Sequence, residues 1–106
     1  MELRRIDSQK THLVLVFNGN LDANGSRKAQ VQLDEVIADP SHNDVEVDFK
    51  HVQFLDSSGV GAIVYLYKRL LERDRNMKIK NVTGQPLEIM TLLHIDQAIP
   101  INSIKH

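Results

Sequence analysis

The sequence predicts an α/β fold: a single domain over residues 1–106 in which a mixed β-sheet of four to five strands carries helices mainly on one face. Three observations lead there. Apolar residues switch repeatedly between strand and helix spacing, in the order strand, strand, helix, strand, helix, strand, helix, strand. The stretch "VEVDF" alternates cleanly, with Val45, Val47 and Phe49 on one face and Glu46 and Asp48 on the other, which describes a sheet with one covered and one wetter side. A chain of 106 residues, 42% of them apolar, can also bury one modest core.

The elements follow in order. A weak first strand at Leu3–Ile6 and a turn at Ser8–Lys10 form a hairpin with "HLVLVFNGNL", a β-branched central strand ending near Asn18-Gly19. "DANGSRKAQVQLDEVIA" has helical spacing: Ala29, Leu33, Val36 and Ile37 share a face, Asn24 or Ser26 caps the start, and Pro40 ends it. After "VEVDF", a short apolar piece from Val52 to Leu55 leads into a helix from about Ser57 to Arg73. Its core stripe is Val60, Ile63, Val64, Tyr67, Leu70 and Leu71, widened by Ala62, Tyr65 and Leu66. A loop at Asp74-Arg75-Asn76 precedes the strand "MKIKNV". "GQPLEIMTLLHI" then begins a short helix with Pro86 in its first turn and Leu87, Met90 and Leu93 or His94 along one side. "AIPINSI" adds a last short strand or tail. Consecutive strand–helix–strand units favour right-handed parallel crossovers, and the hairpin adds an antiparallel pair.

Composition narrows the function. A formal net charge of −1 gives no general attraction to nucleic acid or acidic membranes. The absence of cysteine removes disulfides, thiolate catalysis and cysteine zinc sites. The start "MELRRIDSQKTH" lacks the apolar core of a signal peptide, and no apolar run approaches the roughly 20 residues that cross a bilayer, so a cytoplasmic location is expected. His12, His42, His51, His94 and His106 are dispersed, none at the short helical spacing of a metal site, and no cofactor is expected.

The stretch "FLDSSGVGAIVYLYKRLL" gathers an aspartate, two serines and two glycines at the mouth of an apolar helix. Capping accounts for one polar residue: Asp56 or Ser57 at the N-cap stabilises a helix by about 0.5–2 kcal/mol over alanine. Gly59 and Gly61 fall in the first turns, where each loses roughly 1 kcal/mol of helix propensity, so something besides helix stability selects them. Hydrolase chemistry fits poorly, because the order Asp-Ser-Ser-Gly-Val-Gly lacks the glycine two residues before the serine of a nucleophile elbow. A phosphate-binding loop fails for want of a lysine and Ser/Thr pair after the glycines. A kinase, by contrast, needs only a reachable hydroxyl, and a phosphate at a helix start gains from the dipole. Capping and a presented hydroxyl both remain open at this point.

The segment "FLDSSGVGAIVYL" resembles the phosphoacceptor segment of the STAS superfamily, particularly bacterial anti-sigma factor antagonists. "VFNGNLDA" resembles their second-strand exit, usually written G-E-L-D, and the likeness extends over roughly the first 95 residues. The resemblance implies a STAS-like domain that binds an anti-sigma factor with serine-kinase activity and releases a sigma factor, the mark being reversed by a PP2C-type phosphatase. It makes Ser57 the expected phosphoacceptor, with Asp56, Ser58 and Gly59 shaping its turn and Asp22 and Asn20 nearby; Val60, Gly61 and Val64 form part of the docking surface. Neither direct nucleic-acid binding nor membrane binding is expected, and a monomer or weak dimer is. Two departures stand out. Asn20 replaces the usual glutamate, and the chain stops at His106 where many relatives continue into a further helix, leaving the last ten or so residues as a strand or tail.

Two other roles are compatible with the resemblance: a non-phosphorylated scaffold subunit in a stress-sensing or lipid-transport complex, and an antagonist acting on a non-sigma target. Intact Asp-Ser-Ser-Gly favours the switch over the scaffold. The cations in "KRLLERDRNMKIK" (Lys68, Arg69, Arg73, Arg75, Lys78 and Lys80), interrupted by Glu72 and Asp74, read as a solvated helix end. Tyr65 and Tyr67 read as helix packing.

Overall fold

The computed structural model describes residues 1–102. Strand β1 (Glu2–Gln9) turns back into β2 (His12–Leu21); α1 (Ala23–Ala38), β3 (Asp44–Leu55), α2 (Ser57–Leu71), β4 (Asn76–Lys80) and α3 (Gly84–Leu92) follow, then a 3-10 turn at Ile95–Gln97. The sheet order is β1-β2-β3-β4, with β1 antiparallel to β2 and the other pairs parallel. Ile101 makes an isolated parallel bridge to Ile79, flanked by the Ile79 N–H donating to the Pro100 carbonyl and the Asn102 N–H to the Ile79 carbonyl, so among the described residues the expected fifth strand is one bridge; Ser103 and Ile104 lie outside them.

Alternation decides which face is covered. Leu13, Leu15 and Phe17 of β2, Val45, Val47 and Phe49 of β3, and Met77 and Ile79 of β4 are buried on the helix side. Phe17 and Phe49 meet there in a tilted pair, their ring centroids 5.5 Å apart. Ala29, Leu33, Val36 and Ile37 of α1 pack onto them, together with Ile63, Leu66 and Leu70 of α2. The Tyr65 hydroxyl of α2 donates to Asp34 of α1 at 2.9 Å, and Arg69 lies over the Tyr65 ring. On the other face Glu46 sits among Lys80, His12 and Lys78 at 3.6, 3.7 and 3.9 Å.

Several elements differ from the sequence expectation, each for a physical reason. β1 and β2 both run longer, and the turn tightens to Lys10-Thr11. β3 is one strand: two irregularities, opposite Val16–Asn18 and opposite Gly19–Asn20, each insert an extra residue, so the strand continues with Val52 and then Leu55 buried. On α2 the stripe runs through Gly59, Ile63, Leu66 and Leu70, which share one helical face. Leu66 is therefore core, and Leu71, one step round the helix, is exposed. α3 stops before its expected stripe is complete, because His94 takes a left-handed φ of 59° and leaves Leu93 and His94 outside.

Arg75 departs most from its expectation as part of a solvated run. It is 3% exposed. Its Nη1 donates to the Val36 and Ile37 carbonyls (3.0 and 3.1 Å) and its Nε to the His42 carbonyl (2.6 Å). The end of a helix leaves carbonyls without intrahelical partners, and this guanidinium supplies them for α1. Burial holds its pKa below the usual arginine value.

Candidate functional site

β2 and β3 end level with each other, Leu21 paired to Leu55. Each passes into its helix through the same pattern: Leu21-Asp22-Ala23-Asn24-Gly25 before α1 and Leu55-Asp56-Ser57-Ser58-Gly59 before α2. In both corners the leucine is fully buried and the aspartate is the N-cap. Asp22 accepts from the Gly25 N–H at 2.8 Å and Asp56 from the Gly59 N–H at 2.9 Å. Asp22, rather than Asn24 or Ser26, caps α1 because it is the last extended residue (φ −104°); the other two already lie within the helix. At the second corner the choice between Asp56 and Ser57 falls to Asp56 for the same reason.

The glycines separate into two kinds. A Cβ at Gly59 would strike the Leu21 carbonyl and come within 2.6 Å of the Leu55 side chain; one at Gly25 would strike the Asn20 carbonyl. Both are demanded by the close approach of strand end and helix. Gly61 is different. Nothing lies within 4 Å of its missing Cβ, and it is exposed.

Around this frame the expected site residues are distributed unevenly. Ser57 and Ser58 are exposed at the first two positions of α2. Asp56 and Asp22 are half-buried, and the corners touch where the Asp56 N–H donates to the Leu21 carbonyl at 3.4 Å. Asn20 is exposed at the end of β2, opposite Phe54. Of the three expected docking residues, Gly61 is on the surface and Val64 is half-buried. Val60 is 6% exposed and packs into the core, so its side chain is not part of an outer surface. A shallow groove runs between α1 and α2, with Ser58, Gly61 and Tyr65 on one wall and Ser26, Arg27 and Gln30 on the other.

Sequence reasoning missed three features. The duplicated Leu-Asp-x-x-Gly pattern was its own signal. Phe54, which the spacing reads as part of an apolar lead-in, is 43% exposed beside the serine corner. Gln85, the second residue of α3, brackets the end of β3: its Oε1 accepts from the Leu55 N–H (2.9 Å) and its Nε2 donates to the Leu55 carbonyl (2.7 Å). β4 pairs with β3 over Asp44–Asp48, and at Leu55 the glutamine side chain stands in for a neighbouring strand.

Chemically the arrangement can do one thing well. It holds a serine hydroxyl in solvent at the positive end of a helix whose other contacts are fixed. No group of three or more histidine, cysteine or acidic side chains placed to hold a metal occurs among the described residues. No helix among them is long and apolar enough to cross a membrane.

A four-stranded mixed sheet, helices on one face and an Asp-Ser-Ser-Gly corner whose two serines are exposed define a class of small α/β domain, and residues 4–105 match the family model described as the STAS domain. The chain belongs to the STAS domain family. It is similar to the anti-sigma F factor antagonist of Paenibacillus polymyxa, with 27% identity over 89 residues, covering 84% of this chain and 76% of the relative. Among solved structures, an anti-sigma factor antagonist from Mycobacterium paratuberculosis superposes with a TM-score of 0.83 at 17% identity, covering 97% of this chain and 87% of that one. The Bacillus cell fate determinant SpoIIAA in its phosphorylated form superposes with a TM-score of 0.74 at 15% identity, covering 96% and 92%.

Proposed function

We propose that this chain is an anti-sigma factor antagonist switched by phosphorylation of Ser57. In this reading it binds an anti-sigma factor with serine-kinase activity while Ser57 is bare. The kinase transfers the γ-phosphoryl group of ATP to the Ser57 oxygen, the hydroxyl proton leaves, and ADP and the modified antagonist separate. A PP2C-type phosphatase hydrolyses the phosphoserine and returns the domain to its binding form.

The observation that carries the reading is the exposed hydroxyl of Ser57 at the first position of α2, on a backbone already satisfied by the Asp56–Gly59 cap. The fold tolerates the modification there, since a phosphate at a helix N-terminus gains about 0.3–1 kcal/mol from the dipole. A docked partner does not tolerate it as easily. The phosphate adds roughly −1.5 to −2 charges beside Asp56. A unit charge pair at about 4 Å is worth roughly 1 kcal/mol in water and about 4 kcal/mol at an effective dielectric of 20. Tenfold in affinity needs about 1.4 kcal/mol, so one phosphate can empty a moderate interface while the domain stays folded. The relative in Paenibacillus polymyxa and the phosphorylated Bacillus neighbour support this assignment.

The test is intact mass after incubation with extract of the source cells, ATP and magnesium. One phosphate on the wild type and none on Ser57→Ala is the expected result. Ser57→Asp should keep the fold and lose affinity for the kinase captured by the wild type. Equal affinity of the bare and acidic forms points to a scaffold instead.

A further inference from the structure

We propose that two copies of this chain pair through the free edge of β1, forming one continuous sheet about a twofold axis at Ile6. β1 is an outer strand of the sheet, and every residue from Arg4 to Gln9 is exposed. The other outer strand, β4, is partly shielded by the bridge from Ile101.

The direction of the backbone groups comes from one contact. The Leu3 carbonyl accepts from Gln32 Nε2 of α1 at 3.0 Å, so it is turned away from β2. Backbone groups alternate sides along a strand, hence Arg5 and Asp7 also direct theirs outward. Antiparallel pairing centred on Ile6 lets Arg5 of each copy exchange both main-chain bonds with Asp7 of the other. Ile6 then faces its own counterpart as a non-hydrogen-bonded pair, where side chains come closest.

The side chains complement themselves about that same residue. Arg5 and Asp7 lie one step either side of Ile6, so each arginine meets the opposing copy's aspartate; the regular stretch of β1 ends just beyond, at an irregularity between Asp7 and Gln9, which confines the pairing to this centre. Charged edge strands commonly serve to repel other strands. Repulsion needs no sign order, whereas here the signs reverse across a central apolar residue that is 42% exposed. Arg5 and Asp7 are also held ready on the helix side. Arg5 bonds Asp39 at 3.1 Å, and Asp7 meets His42 at 2.8 Å. Pairing extends these into a chain of charges running from the end of α1 in one copy to His42 in the other. Ile6 is paired with Val14, remote from the Leu21–Leu55 corners, and the twofold axis sends the two acceptor corners to opposite ends of the joined sheet. Each copy keeps its own corner accessible.

Sedimentation equilibrium of the full chain over a wide concentration range tests this. The wild type should show a reversible monomer–dimer equilibrium. Arg5→Glu and Asp7→Arg each place like charges across the axis and should weaken self-association roughly tenfold. An equimolar mixture of the two restores opposite charges at every pair and should dimerise as the wild type does. Ile6→Glu and Ile6→Lys repeat the experiment without disturbing the bridges to Asp39 and His42: each alone should be monomeric, and their mixture dimeric. A wild type that stays monomeric throughout, mixtures that associate no better than the single variants, or single variants whose dimerisation constant equals that of the wild type would overturn the proposal.

Discussion

The two strand-to-helix corners of this domain share their construction and differ in what they display. Each is a buried leucine, a capping aspartate and a glycine pressed against a strand-end carbonyl. Between aspartate and glycine the first corner carries Ala23-Asn24 and the second Ser57-Ser58, all four exposed. The frame is therefore structural, and the corners differ in the pair each holds up, which is where the proposed chemistry would reside. The second corner is also braced from outside: Gln85 grips both backbone groups of Leu55. The end of β3 at the serine corner is thus held from both sides, by Leu21 and by Gln85.

This comparison can be broken at its frame first. Gly59→Ala and Gly25→Ala should each cost about 3 kcal/mol in urea denaturation, since the obstacle is backbone that cannot turn aside. Near-neutral values for either would mean the corner has slack. The brace comes next. Gln85→Ala leaves an N–H and a carbonyl without their partner, and about 2 kcal/mol of stability should go with it. The caps are smaller and should match: Asp22→Ala and Asp56→Ala are each expected to cost about 1 kcal/mol, and a clear inequality would show that the corners are not equivalent.

Gly61 should behave opposite to Gly59. With open space at its Cβ, Gly61→Ala should raise the melting temperature through a gain of up to about 1 kcal/mol in helix propensity. Smallest of all in stability is the exchange of contents. Ser57→Ala with Ser58→Asn rebuilds the first corner in the place of the second and should change stability by no more than about 0.5 kcal/mol. The same double variant should take up no phosphate, so chemistry and stability separate at this pair of residues.

The sequence made the element order legible because periodicity survives wherever one face is buried, as in Val45, Val47 and Phe49. The serine corner was legible because small polar residues cluster before an apolar run. Other features depend on contacts between distant residues. Arg75 reads as one more cation among many until the α1 carbonyls it serves are placed beside it. Gly59 and Gly61 look alike in the sequence, and the end of β2, far away along the chain, is what separates a packing requirement from an exposed gap. For Val60 the helical spacing points to the core and the family resemblance to a docking surface, and its side chain is buried as the spacing predicts. The α1 cap was misassigned because several capping residues crowd that corner and backbone angle alone decides among them.

Gly59 has no clearance, and that limits what a modified corner can do. Any side chain at this position would strike the Leu21 carbonyl, and Asp56 holds the Gly59 N–H, so the first turn of α2 is seated closely against the end of β2. A bulky anion added at Ser57 would meet a turn already anchored by its cap and by its contact with β2. Under the proposed switch, the expected response to a phosphate on Ser57 therefore lies in the docked partner rather than in this domain.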